Sequence, residues 1–130
     1  MEFYQAYSLE RDREYIERLQ TATVQNSEFA LEPDHGLVGS ERWWEAIREG
    51  QISTTRVEGE IVDIRLNSDS WPEFEVSANG ESSTWCLEGD IKTYSLGGGV
   101  RIDYVTVRYA KPPSESDDSA RIVLGIWVET

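Results

Sequence analysis

The sequence predicts an α+β domain that is mainly β, with a helical part in residues 1–50 followed by a five-stranded antiparallel barrel in residues 54–129. Apolar residues recur at helical spacing in two early segments, alternate along most of the later chain, and flank an Asn79-Gly80 pair typical of a tight hairpin. A chain of 130 residues has the size of one ordinary domain. We therefore expect one domain, residues 1–130, with the helical part packed on the barrel.

The first helix is predicted over residues 4–21. Leu9, Ile16 and Leu19 fall on one helical stripe, and charged residues of both signs fill the remaining positions. Ser8 is a suitable residue to cap this helix.

The second helix is predicted over residues 40–49. Ser40 is a good N-cap, and Gly50 stands where a helix commonly ends. Trp43 and Trp44 lie about 100° apart on a helix, so we expect one to be buried and the other to be more exposed. With this tryptophan pair the segment resembles segments of bacterial proteins to which no function is attached.

The later strands are expected to bend. Apolar positions switch parity near Gly59 within residues 54–66, and they switch again within residues 100–110, which indicates a bulge or a corner in each strand. Residues 91–96 are predicted to form a short strand. Residues 121–129 are apolar on both faces and are therefore predicted to form a strand that is central or covered on both sides.

The Asn79-Gly80 pair is typical of a type I′ turn, which fixes the register of the two strands that it joins. In this register Phe74 lies opposite Trp85 on an apolar side that we expect to face the core. The alternate positions are mostly polar and are expected to face water.

A bent strand that contains residues 57–64, Val-Glu-Gly-Glu-Ile-Val-Asp-Ile, precedes this hairpin. The arrangement resembles the oligonucleotide/oligosaccharide-binding (OB) fold, a five-stranded Greek-key barrel, over residues 54–129. The resemblance implies an OB-like barrel and, as one function, binding of single-stranded nucleic acid. That fold usually has a helix between its third and fourth strands, whereas residues 88–99 have room only for a strand and a loop.

The charge of the chain restricts its partners. It has 25 acidic and 12 basic side chains, and residues 51–90 hold nine acidic and two basic ones. Such a surface repels phosphate backbones and anionic lipids, so we expect neither nucleic-acid nor membrane binding. It suits a basic protein partner, or it serves solubility alone.

Targeting signals and cysteine usage point to the cytoplasm. The sequence begins without the apolar stretch of a signal peptide, and it contains no run of about 20 apolar residues that could cross a bilayer. Cys86 is the single cysteine, which is compatible with a reducing compartment.

Patterns that would indicate catalysis are weak. His35 is the single histidine and belongs to no nucleophile motif, and Cys86 is predicted to lie within a strand. The glycines of residues 97–99 lead into a strand without the Lys-Ser/Thr of a phosphate loop. Glu73 and Glu75 lie about 7 Å apart by strand rise, but on the polar side of the hairpin, without the apolar surroundings that two-carboxylate catalysis needs. We predict no catalytic residue and no cofactor.

The function predicted from these observations is that of an acidic, non-enzymatic module that binds a basic protein, for example an inhibitor or immunity-type protein that neutralises its partner. The predicted partner-binding residues are Glu58, Glu60, Glu73 and Glu75. These carboxylates could also attract a divalent cation, but they lack the spacing of a calcium loop, and we predict no metal. The alternatives are a small-molecule-binding or enzymatic barrel that uses its mouth, and an OB-type binder of single-stranded nucleic acid. The oligomeric state is left open.

Overall fold

The computed structural model describes residues 2–111 and 118–130, and these residues are mainly in strands, with two α-helices and two short 3₁₀ helices. The elements in chain order are β1 (Phe3–Ser8), a 3₁₀ helix (Leu9–Arg11), α1 (Arg13–Val24), α2 (Glu41–Arg48), β2 (Thr55–Leu66), β3 (Pro72–Ala78), β4 (Glu81–Cys86), a 3₁₀ helix (Ile91–Thr93), β5 (Gly99–Arg108) and β6 (Ser119–Glu129). The prediction of an α+β, mainly β chain is confirmed. None of the described helices is long and apolar enough to cross a membrane.

The strands form a six-stranded open sheet in the order β1-β6-β5-β2-β3-β4, and the pairs β1–β6, β2–β3 and β3–β4 are antiparallel. The predicted five-stranded, OB-like closed barrel is therefore wrong. An extra strand, β1, lies at one edge, and the segment predicted as a strand at residues 91–96 contains a 3₁₀ helix instead. The strand β6 lies between two others, which confirms its predicted central position.

The first helix begins later than predicted. Phe3–Ser8 is a strand, rich in the aromatic residues that favour β structure. The N-terminal part therefore contains a strand as well as helices. The helix α1 is capped by Asp12, whose side chain accepts a hydrogen bond from the backbone N–H of Tyr15 at 3.3 Å. Leu9 and Ile16 are buried, although only Ile16 belongs to the α-helix.

The second helix agrees with its prediction. The backbone N–H of Trp43 donates to Ser40 Oγ at 3.2 Å, and Gly50 has a φ of +78° just beyond the helix. The Trp43 side chain is buried at 2% exposure, whereas Trp44 is half-buried. Their ring centroids lie 4.9 Å apart in an edge-on arrangement.

The hairpin of β3 and β4 has the predicted register. Asn79 and Gly80 have φ angles of +55° and +82°, as a type I′ turn requires, and Phe74 lies opposite Trp85. Both aromatic side chains are buried. The alternate positions on these strands are half-buried or exposed.

The bend predicted in the first long strand is a β-bulge in β2. The register with β3 shifts between Ile61 and Asp63, which leaves Val62 as the extra residue. A Cβ at Gly59 would clash with the backbone oxygen of Ser77, so only glycine permits the close approach of the two strands here.

The chain divides into two compact units. The first unit comprises Met1–Ser8, Arg56–Asp103 and Gly125–Thr130, and the second comprises Leu9–Thr55 and Tyr104–Leu124. Each unit has buried apolar side chains of its own. That residues 1–130 fold as a single domain stays a prediction.

Candidate partner-binding surface

One side of the sheet in the first unit is charged. Side chains alternate along each strand, and the buried side holds Ile61, Phe74 and Ile102. We call the opposite side the acidic face, and it carries seven carboxylates and three guanidinium groups. Its charged residues are Arg56, Glu58, Glu60, Asp63, Arg65, Glu73, Glu75, Arg101, Asp103 and Glu129.

The four predicted partner-binding residues all lie on the acidic face. Glu73 and Glu75 occupy alternate positions of β3, and Glu60 lies opposite Ser77 on the same side. The Glu58 side chain is 58% exposed and lies beside guanidinium groups of the same face. Their role in binding a partner stays a prediction.

Arg65 is the centre of one cluster on the acidic face. Its guanidinium Nη1 lies 2.7 Å from Asp63 Oδ2 and 3.3 Å from Glu75 Oε1, and its Nε lies 3.5 Å from Glu73 Oε1. Its Nη2 donates to Thr84 Oγ1 at 3.3 Å. The hydrogen bond to Asp63 raises the pKa of Arg65 most, against the lowering effect of desolvation, and Glu75 and Glu73 raise it further. One cation therefore orients three carboxylates, which leaves two negative charges in excess.

A second cluster surrounds Arg56. Its Nε and Nη2 donate to Asp103 Oδ1 and Oδ2 at 2.7 and 3.0 Å, and this hydrogen bonding raises the pKa of Arg56. Glu58 Oε1 lies 3.9 Å from Arg56 Nη1 and 3.8 Å from Arg101 Nε. The guanidinium carbon of Arg101 lies 4.2 Å from the centre of the Phe3 ring. These side-chain contacts hold this part of the acidic face in a fixed arrangement.

Three carboxylates of the acidic face share one guanidinium group as their countercharge. In the described part of the chain, no group of three or more His, Cys, Asp or Glu residues is arranged to hold a metal ion. The Arg65 guanidinium lies among Asp63, Glu73 and Glu75, where a cation would otherwise be attracted.

The second unit contains a cleft of about 370 Å³. A pocket of this size suits a small ligand. Because the sheet is open and has no barrel mouth, this cleft is where the alternative function, small-molecule binding, would be located. The residues that line it include Glu32, Asp34, His35, Trp43, Thr106 and Arg108. Cys86 lies elsewhere, exposed on β4, so the cleft does not combine the single histidine with the single cysteine.

The model of the family described as immunity protein RhsI2 matches residues 3–129. The chain belongs to the RhsI2 immunity protein family. No curated protein matches it. The family match extends from the first residue of β1 to the last residue of β6, so it includes both the acidic face and the cleft.

Membership of the RhsI2 immunity family confirms the predicted function at the level of class. The chain is a non-enzymatic, immunity-type module that acts by binding another protein, and immunity proteins bind a partner toxin protein. The match identifies no OB fold. The basic character of the partner and the residues that contact it are taken up below.

One exposed residue of this RhsI2-family chain was not assigned to a protein-binding surface from the sequence. Trp71 precedes β3 and is 69% exposed, although tryptophan side chains are on average largely buried in folded proteins. The sequence held one signal of its location: Trp71 directly precedes the strand on which Glu73 and Glu75 alternate with apolar residues.

Proposed function

We propose that the chain neutralises a toxin protein by docking its acidic face on a basic surface of that toxin, and that it does so in the cytoplasm. The observation that supports this most strongly is the common location of Glu58, Glu60, Glu73 and Glu75 on one side of a sheet. A surface with surplus carboxylates attracts a basic partner and disfavours partners of the same charge.

The rigidity of the acidic face supports a role in recognition. Strand pairing fixes the backbone of the acidic face, and the guanidinium groups of Arg56 and Arg65 orient Asp103, Asp63 and Glu75 before a partner arrives. A preorganised surface loses less side-chain freedom on binding than a mobile one does. Glu60 is exposed, and its side chain makes no hydrogen bond or ion pair within the described residues, so its charge is available to a partner.

The state of the single cysteine supports the cytoplasmic location. Cys86 is the single cysteine of the chain, so it forms no disulfide within it, and it lies exposed on β4. An exposed thiol persists most readily in a reducing compartment, where it is protected from oxidation and from pairing with other chains.

The experiment requires the toxin itself. The toxin is identified as the protein that the tagged chain captures from the native cell extract and whose arrest of growth the chain relieves on co-expression. We expect the double variant Glu73→Lys/Glu75→Lys to associate with this toxin roughly tenfold more slowly, because it reverses the local field that steers the encounter. Association of the unaltered chain is expected to slow as salt increases, and stopped-flow kinetics at several ionic strengths measures both effects.

Two further variants control for folding and for total charge. Glu60→Lys changes a side chain without a partner in the described residues, so it tests the same face with little risk to the fold. Glu14→Lys/Glu17→Lys makes the same charge change as the double variant on exposed positions of α1, and its association rate is expected to stay within about twofold of the parent. An association rate that ignores both salt and the Glu73/Glu75 reversal would contradict the proposed surface.

A further inference from the structure

Trp71 differs from the other tryptophans in its exposure. All five lie in the described part of the chain, and Trp71 is 69% exposed. Trp43 and Trp85 are buried, and Trp44 and Trp127 are half-buried. A large apolar ring in water adds nothing to the core of its unit, so its surface is available for contact with another molecule.

The turn that carries Trp71 is ordered by four hydrogen bonds. Asn67 Oδ1 accepts from the backbone N–H groups of Asp69 and Trp71 at 2.9 and 3.1 Å. The backbone N–H of Asn67 donates to the Trp71 oxygen at 2.9 Å, and that of Ser70 donates to the Asn67 oxygen at 2.9 Å. The backbone at Trp71 is therefore fixed before any partner binds.

The ladder between β2 and β3 determines the side of the sheet on which Trp71 lies. Leu66 pairs with Pro72, and the hydrogen bond from Asn67 to Trp71 continues the ladder by one step. Alternation then gives Trp71 the same side as Glu73. An exposed indole thus lies at the end of the acidic face.

We propose that Trp71 is the anchor of the toxin interface and that its indole enters an apolar pocket of the toxin bordered by basic groups. This inference rests on the proposed function, because it assumes that the acidic face meets the toxin. The flanking carboxylates of Asp69 and Glu73 select basic groups around the pocket, since like charges there would repel them.

The charges of the acidic face and the ring of Trp71 are expected to affect different rate constants of binding. Surface charge mainly governs how fast two proteins meet, whereas a ring that leaves water for a fitting pocket mainly governs how slowly they part. Tryptophan is enriched among the few residues that carry most of the binding free energy of an interface. An anchor on an ordered turn adds little entropy cost to binding.

The test compares Trp71→Ala with the unaltered chain in surface-based binding kinetics with the captured toxin. We expect the variant to bind at least about 30-fold more weakly, chiefly through faster dissociation, with a melting temperature within about 2 °C of the parent because the ring is exposed. Trp71→Phe is expected to retain part of the affinity. The control Leu96→Ala shortens another apolar side chain of the same unit, 66% exposed, and is expected to bind within about twofold of the parent.

The outcomes separate the anchor from the acidic face. If Trp71→Ala binds like the parent while Glu73→Lys/Glu75→Lys associates slowly, the anchor is refuted and the acidic face is supported. If Trp71→Ala dissociates quickly while the charge reversal has no effect, the contact of Trp71 with the toxin is supported, but the acidic face and the basic border of the pocket are refuted. Self-association of the parent that depends on concentration and is lost in Trp71→Ala would assign the ring to a contact between copies of this chain and would overturn the proposal.

Discussion

Gly80 is a single residue on which the geometry of the acidic face depends. Its φ of +82° allows the two-residue turn, and that turn sets the register in which Glu73 lies opposite Cys86 and Glu75 opposite Thr84. A Cβ at Gly80 would meet no atom within 4 Å, so a substitution here tests backbone conformation without a steric clash.

We expect Gly80→Val to lower the free energy of unfolding by about 1 kcal/mol or more, because a β-branched residue disfavours a positive φ. Urea unfolding followed by circular dichroism measures the change. Ser82→Val is the matched control, since Ser82 is an exposed strand position where valine is readily accommodated. Equal stability of the Gly80→Val variant and the parent would show that the turn does not constrain the hairpin.

At the scale of single residues, the sequence predicted the position of a side chain best where a rule about neighbouring residues of one strand was enough. Alternation along β3 was enough to assign Glu73 and Glu75 to the polar side. The contact of Arg65 with Glu73 was not predictable, because it depends on the pairing of β2 with β3 and on the bulge at Val62.

Among the elements, α2 provides the clearest test of packing. Its cap at Ser40 and its ending before Gly50 are local signals, and both agree with the structure. Eight residues make a marginal helix in isolation, so tertiary packing has to hold α2 in place, and Trp43 is its largest buried side chain.

We expect Trp43→Ala to lower the free energy of unfolding by about 3–5 kcal/mol, because it leaves a large cavity in the second unit. Trp44→Ala is the matched control, with a smaller loss, because its ring is only half-buried. Thermal unfolding of both variants measures the difference. If both variants melt like the parent, α2 is not held by Trp43 as described.

The elements that the sequence did not predict depend on distant partners. The strand β1 pairs with β6, so that Phe3 lies opposite Glu129 at the other end of the chain. No local pattern in Phe3–Ser8 specifies such a partner, and the charged residues that follow favoured a helix from residue 4. The open sheet was missed for the same reason: parity switches predict bent strands but do not determine whether the sheet closes.

At the scale of the whole molecule, the RhsI2 family match and the charge distribution answer two different questions: what class of function the chain has, and where its partner is proposed to bind. The family match shows the class of function, a non-enzymatic module that binds a protein. The distribution of charge leads to the proposed site, because the nine acidic and two basic side chains of residues 51–90 lie largely on strands that share one sheet. Trp71 adds an apolar contact at the end of that surface.

The most direct test of the account is carboxyl footprinting of the complex with the captured toxin. A carbodiimide and an amine label accessible carboxylates of the free and bound chain, and mass spectrometry measures the labelling of each. If the acidic face meets the toxin, Glu58, Glu60, Glu73 and Glu75 are labelled several-fold more slowly in the complex, because bound protein excludes the reagents, while Glu14 and Glu17 of α1 react as in the free chain. Protection of the α1 glutamates, with the acidic face labelled as fast as in the free chain, would contradict it.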